Sequence, residues 1–234
     1  MRRNVPPRAI LFDLDGTLIA TRRLYVEAFL LSVPPILGRI PSEEEMMALK
    51  PRSETRFLRQ VVGEARAVEC LDAFYRHYDE LHGEHFQGVY TGIPDMLEAI
   101  WKLELPTAIV TGKSRRAFSI TRRHLNHHPE LNGAALDAFQ PTVCGDEMPH
   151  DKPHPGGLHL ALEALQVTPH QAVYVGDSLT DVEAAVAAGV RPVAALWGKR
   201  AHEVDGFRNA ALEHGAAAVI RPGELASALG LGGS

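Results

Sequence analysis

AILFDLDGTL, residues 9–18, leads from four apolar residues directly into two aspartates and a Gly-Thr pair. A short continuous apolar run is typical of a strand buried on both faces, as in a parallel sheet. Such a strand would bring Asp13 to its carboxyl end, where open α/β sheets bind their ligands. Asp15 can face the same way as Asp13, and two such carboxylates stay ionised together only beside a cation. The stretch alone is equally consistent with an Asp-Gly turn after a core strand.

The composition of the 234-residue chain is that of an ordinary globular protein, with 45% hydrophobic and 23% charged residues. The formal net charge of −5 gives no reason to expect a nucleic-acid partner. The sequence lacks a signal-like segment and any apolar run near the ~20 residues that cross a membrane, so we expect no membrane partner. Cys70 and Cys144 form no CxxC pair, and we interpret them as reduced thiols of a cytoplasmic protein. Nothing in the sequence indicates an oligomeric state.

Residues 19–88 have helical rather than strand-like periodicity, and we predict four helices there. The first has apolar residues from Leu24 to Leu31, a capping-box pattern from Ser42 opens the second, and the third spans 57–62. The predicted apolar stripe of the fourth helix consists of Val68, Leu71, Tyr75, Tyr78 and Leu81. Because this region follows the Asp13 strand directly, we expect a separate helical cap domain, residues 19–88, above the site.

Strand and helix alternate over the remainder of the chain. The predicted strands cover 107–112, 141–144, 172–177, 190–196 and 217–220. The predicted helices cover 93–103, 114–125, 156–165 and 181–188, with a last one opened by Pro222. This alternation predicts a doubly wound, Rossmann-like parallel sheet. We therefore expect an α/β core domain of residues 1–18 and 89–234, with the cap inserted between its two parts.

Four polar clusters lie at the ends of these strands or just before helices, so the topology can bring them to one edge of the sheet. They are DLDGT at 13–17, TG at 111–112, KP at 152–153 and GDSxxD at 176–181. In this order they resemble the four motifs of the haloacid dehalogenase-like phosphatase superfamily. The segments Tyr90–Pro94 and Leu196–Gly198 resemble its phosphoglycolate phosphatase-like branch, in which a helical cap follows the first motif.

The residue types and this resemblance together imply a catalytic role for each carboxylate. Asp13 would attack phosphorus and form an aspartyl-phosphate, and Asp15 would act as general acid and then general base. Hard oxygen ligands from Asp13, the Asp15 backbone carbonyl and Asp177 would suit Mg²⁺. Ser178 and Asp181 would orient Lys152 or metal-bound water.

A phosphate dianion also needs donors and positive charge at the site. Lys152 would supply a fixed cation, while Thr111 and the Gly112 backbone N–H would donate hydrogen bonds. The helix beginning near Ser114 is expected to aim its amino end at the same place. We interpret the basic residues 113–116 as part of an exposed helix face.

Substrate choice would lie with the cap. Relatives often carry an Asp-Ser pair after the first motif, where this chain has Ala20 and Thr21, so Thr21 retains one hydroxyl of that pair. Lys50 and Arg52 flank Pro51 and would favour a substrate with a second anionic group.

The predicted function is that of a Mg²⁺-dependent phosphomonoester hydrolase acting on a small phosphorylated metabolite. A pyrophosphatase, a sugar-phosphate mutase and a non-catalytic phosphate-binding member of the same superfamily are the alternatives. The motifs specify phosphate, and they do not specify the rest of the substrate.

Overall fold

Six parallel strands form one sheet in the order β3-β2-β1-β4-β5-β6. In chain order they are β1 Ala9–Phe12, β2 Thr107–Val110, β3 Thr142–Val143, β4 Ala172–Gly176, β5 Arg191–Ala195 and β6 Ala217–Val219. The computed structural model describes residues 6–42, 53–125 and 133–231. The prediction of an α/β fold with a parallel sheet is confirmed.

Ten α-helices occur in the described residues. They are α1 Arg22–Ser32, α2 Pro34–Leu37, α3 Glu54–Val62, α4 Glu64–His85, α5 Ile93–Trp101, α6 Arg115–Leu125, α7 Gly156–Leu165, α8 Leu179–Ala188, α9 Ala201–Glu213 and α10 Leu225–Ala228. We call α1 to α4 the helical segment. The predicted helix after Ser42 and the predicted substrate residues Lys50 and Arg52 lie outside the described residues.

The sheet is covered on both faces, which explains why β1 is apolar throughout. Ile10 and Phe12 belong to one apolar cluster, which also includes residues of α5, α6 and α10. Ala9 and Leu11 belong to a second cluster, with residues of α7 and α8. Successive side chains of a strand point to opposite faces, so a strand between two helical layers has no polar face.

The helical segment has its own apolar cluster, to which Ala117 and Ile120 of α6 also belong. The segment therefore packs on α6. Two details of its predicted helices are wrong: Val68 is 69% exposed, and Leu31 is 47% exposed. Tyr75, Tyr78 and Leu81 of the predicted stripe are buried, and the other buried residues of α4 are Ala67, Cys70, Phe74 and His82. The buried face of α4 therefore begins at Ala67, and Val68 lies toward solvent.

Helix α9 is absent from the predicted elements. Its only buried residue is Ala211, so its sequence carries little amphipathic signal. Both cysteines are buried free thiols, as expected. In the ranges that the structure describes, every helix is too short or too polar to span a bilayer.

Candidate active site

The motif residues meet where the order of the strands reverses. Strands β2 and β3 extend from one side of β1, and β4 to β6 extend from the other. In such sheets the crevice beside the reversal point, at the carboxyl ends of the strands, is the usual binding site. Asp13 directly follows β1, and its N–H donates to the carbonyl of Val175 at 2.9 Å. Asp177 directly follows β4, so the two aspartates flank the crevice.

Lys152 is buried at the centre of this site. Its Nζ lies 2.7 Å from Asp13 Oδ1, 2.5 Å from Asp181 Oδ1 and 2.8 Å from the hydroxyl of Tyr174. Burial alone would lower the pKa of Lys152, but Asp13 and Asp181 outweigh it and raise this pKa well above its ordinary value. The lysine is therefore a fixed positive charge beside Asp13.

Three carboxylates stand close together around this lysine. Oxygens of Asp13, Asp177 and Asp181 all lie within 4.8 Å of one another. Burial raises the pKa of Asp13, with Lys152 opposing the shift, and burial also raises the pKa of Asp177. Lys199 pairs with Asp177 at 2.6 Å. Two lysines therefore face three carboxylates; with all three ionised the set carries one negative charge in excess, a state that a further cation would stabilise.

Asp181 is held by the start of its own helix. Its Oδ2 accepts hydrogen bonds from the N–H of Ser178 at 3.0 Å and from the Ser178 hydroxyl at 2.5 Å. The other oxygen, Oδ1, contacts Lys152. The contact expected between Asp181 and Lys152 is thus present, while Ser178 reaches the lysine only through Asp181.

The turn after Asp13 requires a glycine. Gly16 has φ +83°, and a Cβ at this position would lie 2.4 Å from Asp177 Oδ2. A side chain there would displace the Asp177 carboxylate. From the other side, the Trp197 indole donates to the carbonyl of Thr17 at 2.8 Å. The loop after β5 therefore fixes the turn that carries Asp13 and Asp15.

The expected role of the α6 amino end is not supported by its contacts. The N–H of Ser114 donates to Glu54 Oε1 at 3.0 Å, and the N–H of Arg115 donates to Asp146 Oδ1 at 2.9 Å. These amides already have carboxylate partners. Thr111 is buried beside them, and its Oγ1 accepts the N–H of Lys113 at 3.2 Å. This bond leaves the hydroxyl hydrogen of Thr111 for another acceptor.

Asp15 has two partners that position one of its oxygens. Oδ1 accepts a hydrogen bond from the Thr21 hydroxyl. Thr21 is the residue that retains one hydroxyl of the Asp-Ser pair found in relatives. The same oxygen lies 3.0 Å from Nζ of Lys113. The prediction that residues 113–116 form an exposed basic face is wrong for Lys113 and Ser114, which are 2% and 1% exposed.

Sequence reasoning also missed the contacts of Tyr174 and Lys199. The predicted strand 172–177 includes Tyr174, and a buried tyrosine hydroxyl needs a polar partner, which is a usable signal. For Lys113 the signal was its spacing, because it precedes Ala117 by four residues and Thr121 by eight. Both are buried residues of α6, so this spacing indicates the buried face of the helix.

Comparison with known proteins agrees with this geometry. The Haloacid dehalogenase-like hydrolase family matches residues 10–195 of the chain. A phosphoglycolate phosphatase of Pseudomonas syringae pv. tomato is 32% identical over 206 residues, which cover 82% of this chain and 70% of the relative. Pyrophosphatase PpaX of Listeria monocytogenes is 30% identical over 190 residues, which cover 80% of this chain and 82% of the relative.

A solved structure has the same overall fold. CbbY from Rhodobacter sphaeroides, crystallised in complex with phosphate, has a TM-score of 0.71 and 27% identity. The match covers 94% of this chain and 96% of that one. The chain belongs to the haloacid dehalogenase-like hydrolases. Within that family it is a phosphatase of the phosphoglycolate phosphatase-like branch.

Proposed function

We propose that this chain hydrolyses phosphomonoesters of small metabolites through an aspartyl-phosphate on Asp13. The observation that carries the proposal is the position of Asp13 beside a buried lysine at the reversal point of the sheet. A carboxylate there can attack phosphorus, and the lysine can bind the phosphate oxygens.

The residues of the site fit a magnesium ion. Asp13 and Asp177 offer carboxylate oxygens from a set with excess negative charge. Among the described residues, no backbone N–H donates to the Asp15 carbonyl, so this third proposed ligand is available. An all-oxygen donor set of this kind suits Mg²⁺. When bound, the ion would supply positive charge that offsets the repulsion between a phosphate and the carboxylates.

The first step forms a bond between an oxygen of Asp13 and phosphorus and breaks the bond from phosphorus to the substrate oxygen. Asp15 gives a proton to the departing oxygen. Lys152 stays in place because Asp181 and Tyr174 hold it, so its charge meets the transferring oxygens without rearrangement. Thr111 donates its free hydroxyl hydrogen, and the Gly112 N–H donates beside it.

The second step returns the enzyme to its starting state. Asp15, now ionised, takes a proton from a water molecule whose oxygen bonds to phosphorus. The bond between phosphorus and Asp13 breaks, and inorganic phosphate leaves with the Asp13 carboxylate restored. The helical segment acts in this proposal as the cap over the site, within the domain division 1–18 with 89–234 and 19–88.

Inorganic pyrophosphate is a second candidate substrate. The Listeria pyrophosphatase is nearly as similar to this chain as the phosphoglycolate phosphatase is. Both phosphoglycolate and pyrophosphate carry a second anionic group, which is the feature that Lys50 and Arg52 would select. That selection stays a prediction, because both residues lie outside the described ranges.

The test is turnover by the purified chain of phosphoglycolate, pyrophosphate, a hexose phosphate and p-nitrophenyl phosphate, with Mg²⁺ and with excess chelator. We expect phosphate release that requires Mg²⁺ and is fastest with one of the first two substrates. Undiminished release in chelator would contradict the magnesium proposal. Phosphate binding without turnover would indicate a binding protein, and an isomerised sugar phosphate would indicate a mutase.

A further inference from the structure

Lys113 is a buried cation that the proposed mechanism does not use. Its side chain is 0% exposed. Nζ lies 3.0 Å from Asp15 Oδ1, 3.0 Å from the Tyr25 hydroxyl and 2.5 Å from the Tyr78 hydroxyl. A lysine ammonium has three N–H donors, so these three acceptors satisfy it completely. The ammonium therefore has one defined place.

The two tyrosines come from the helical segment, Tyr25 from α1 and Tyr78 from α4. Their rings also contact the ammonium, with centroids 4.4 and 4.8 Å from Nζ. The Tyr78 hydroxyl is also hydrogen-bonded to Thr121 Oγ1 of α6, at 3.3 Å. Lys113 follows strand β2. Apart from Asp15, the two acceptors of its ammonium described above both belong to the helical segment.

The consequence for Asp15 is that its two oxygens are not equivalent. Oδ1 accepts from both Lys113 and Thr21. Within ranges 6–42, 53–125 and 133–231, no donor reaches Oδ2. The Asp15 side chain is 26% exposed, whereas that of Asp13 is 7% exposed. The oxygen without a donor belongs to the more accessible of the two carboxylates.

We infer that Lys113 is a positioning residue for Asp15: it fixes Oδ1 and leaves Oδ2 to exchange the proton with the leaving group and the water. Tyr25 and Tyr78 keep the lysine in the place from which it does so. This inference rests on the acid–base role of Asp15 in the proposed function. It assigns Lys113 no contact with the substrate.

A leaving-group comparison tests the inference, because a poor leaving group depends on the acid more than a good one. The substrates are phenyl phosphate and p-nitrophenyl phosphate, which differ little in size. The parameter is kcat/KM, which includes only the steps through departure of the aryloxide. We expect Lys113→Met to lose about 100-fold with phenyl phosphate and no more than about 10-fold with p-nitrophenyl phosphate. Lys102→Met, at an exposed lysine, should match the wild type.

If Lys113 had only a structural role, Lys113→Met would lower kcat/KM by the same factor with both substrates. Equal losses with the two substrates would therefore overturn the inference, and so would the absence of any loss. Tyr78→Phe provides a milder variant that keeps the charge of Lys113. It should show the same selective loss at about 3- to 10-fold, the scale of one hydrogen bond. Equal fold-losses of kcat/KM in Tyr78→Phe with the two substrates would also overturn the inference.

Asp15→Asn measured in parallel separates this inference from the proposed function. A selective loss in Asp15→Asn together with equal losses in Lys113→Met would overturn the positioning role alone. An Asp15→Asn enzyme without a selective loss would overturn the acid–base role, and the positioning role with it.

Discussion

Lys152 and Lys113 each pair with one aspartate of the same Asp-Leu-Asp sequence, but the groups that hold them come from different parts of the molecule. Lys152 contacts Asp13, and its other partners include the Val110 carbonyl of β2, Tyr174 of β4 and Asp181 of α8. Lys113 contacts Asp15, and its other partners belong to the helical segment. The lysine beside the proposed nucleophile is thus held by residues of the sheet and of α8. The proposed acid–base group depends on the helical segment, because that segment holds Lys113.

The largest expected effect is on the Lys152 side. Asp13→Asn removes the nucleophile and one of the two charged partners of Lys152 while leaving the Asp15–Lys113 pair intact. We expect kcat with p-nitrophenyl phosphate to fall by about three orders of magnitude or more. Asp205→Asn, at an exposed aspartate paired with Arg208, should retain full activity. A phosphoryl group detected by mass spectrometry on Asp13→Asn protein after acid quenching would contradict the assignment of the nucleophile.

An intermediate effect tests how well the helical segment is packed behind Lys113. His82 of α4 lies 3.0 Å from Thr121 Oγ1, and burial lowers its pKa from 6.5 to about 3. Below pH 6.5 the folded protein therefore binds fewer protons than the unfolded chain. The contribution of neutral His82 to the free energy of unfolding is complete above pH 6.5 and is lost as the pH falls below that value. From pH 7 to pH 5 the loss should be about 2 kcal/mol.

Urea unfolding at the two pH values measures this loss. His82→Gln should remove about 2 kcal/mol of the difference between pH 7 and pH 5, and His159→Gln, at an exposed histidine, should leave it unchanged. An equal pH dependence in wild type and His82→Gln would mean that solvent reaches His82. The helical segment would then be too loosely packed to fix Lys113.

The smallest expected effect tests whether Lys152 is independent of the helical segment. Arg56 of α3 pairs with Asp151, next to Lys152, and donates to the Met148 carbonyl at 2.6 Å. Because the Arg56 side chain is 35% exposed, we expect Arg56→Gln to lower the free energy of unfolding by about 1 kcal/mol or less. Values of kcat should stay within about twofold of wild type, and Arg59→Gln on the same helix is the control. A large loss of kcat in Arg56→Gln alone would show that α3 controls the loop of Lys152.

Sequence reasoning predicted most of the α/β fold because β1, β2 and β4 are largely apolar runs that lead into a polar or glycine residue. The motif positions followed from topology, since parallel strands end at one edge. The contact of Lys152 with Asp181 could be anticipated because both residues lie in those motifs, whereas its contact with Tyr174 was missed.

The surroundings of Lys113 could not be predicted in the same way. Lys113 lies in a loop, and the hydroxyls that it contacts are those of Tyr25 in α1 and Tyr78 in α4. Local periodicity contains no information on how α4 packs against α6. Tyr78 fitted an apolar stripe, and the stripe says nothing about where its hydroxyl points. The neighbouring Arg115 and Arg116 made Lys113 resemble an exposed basic residue, although it precedes two buried residues of α6, Ala117 and Thr121, by four and eight positions.

Trp197 gives the turn between Asp13 and Thr17 an intrinsic spectroscopic reporter. The chain has two tryptophans, and the indole N–H of this one donates directly to the Thr17 carbonyl. The other, Trp101, contacts Phe139 and the Thr107 hydroxyl. Trp101→Phe would leave a single tryptophan, whose emission, excited selectively above the tyrosine absorption, depends on the hydrogen bond to the turn. Ligand binding at the aspartates could then be followed in real time by the fluorescence of Trp197, without a label and without turnover.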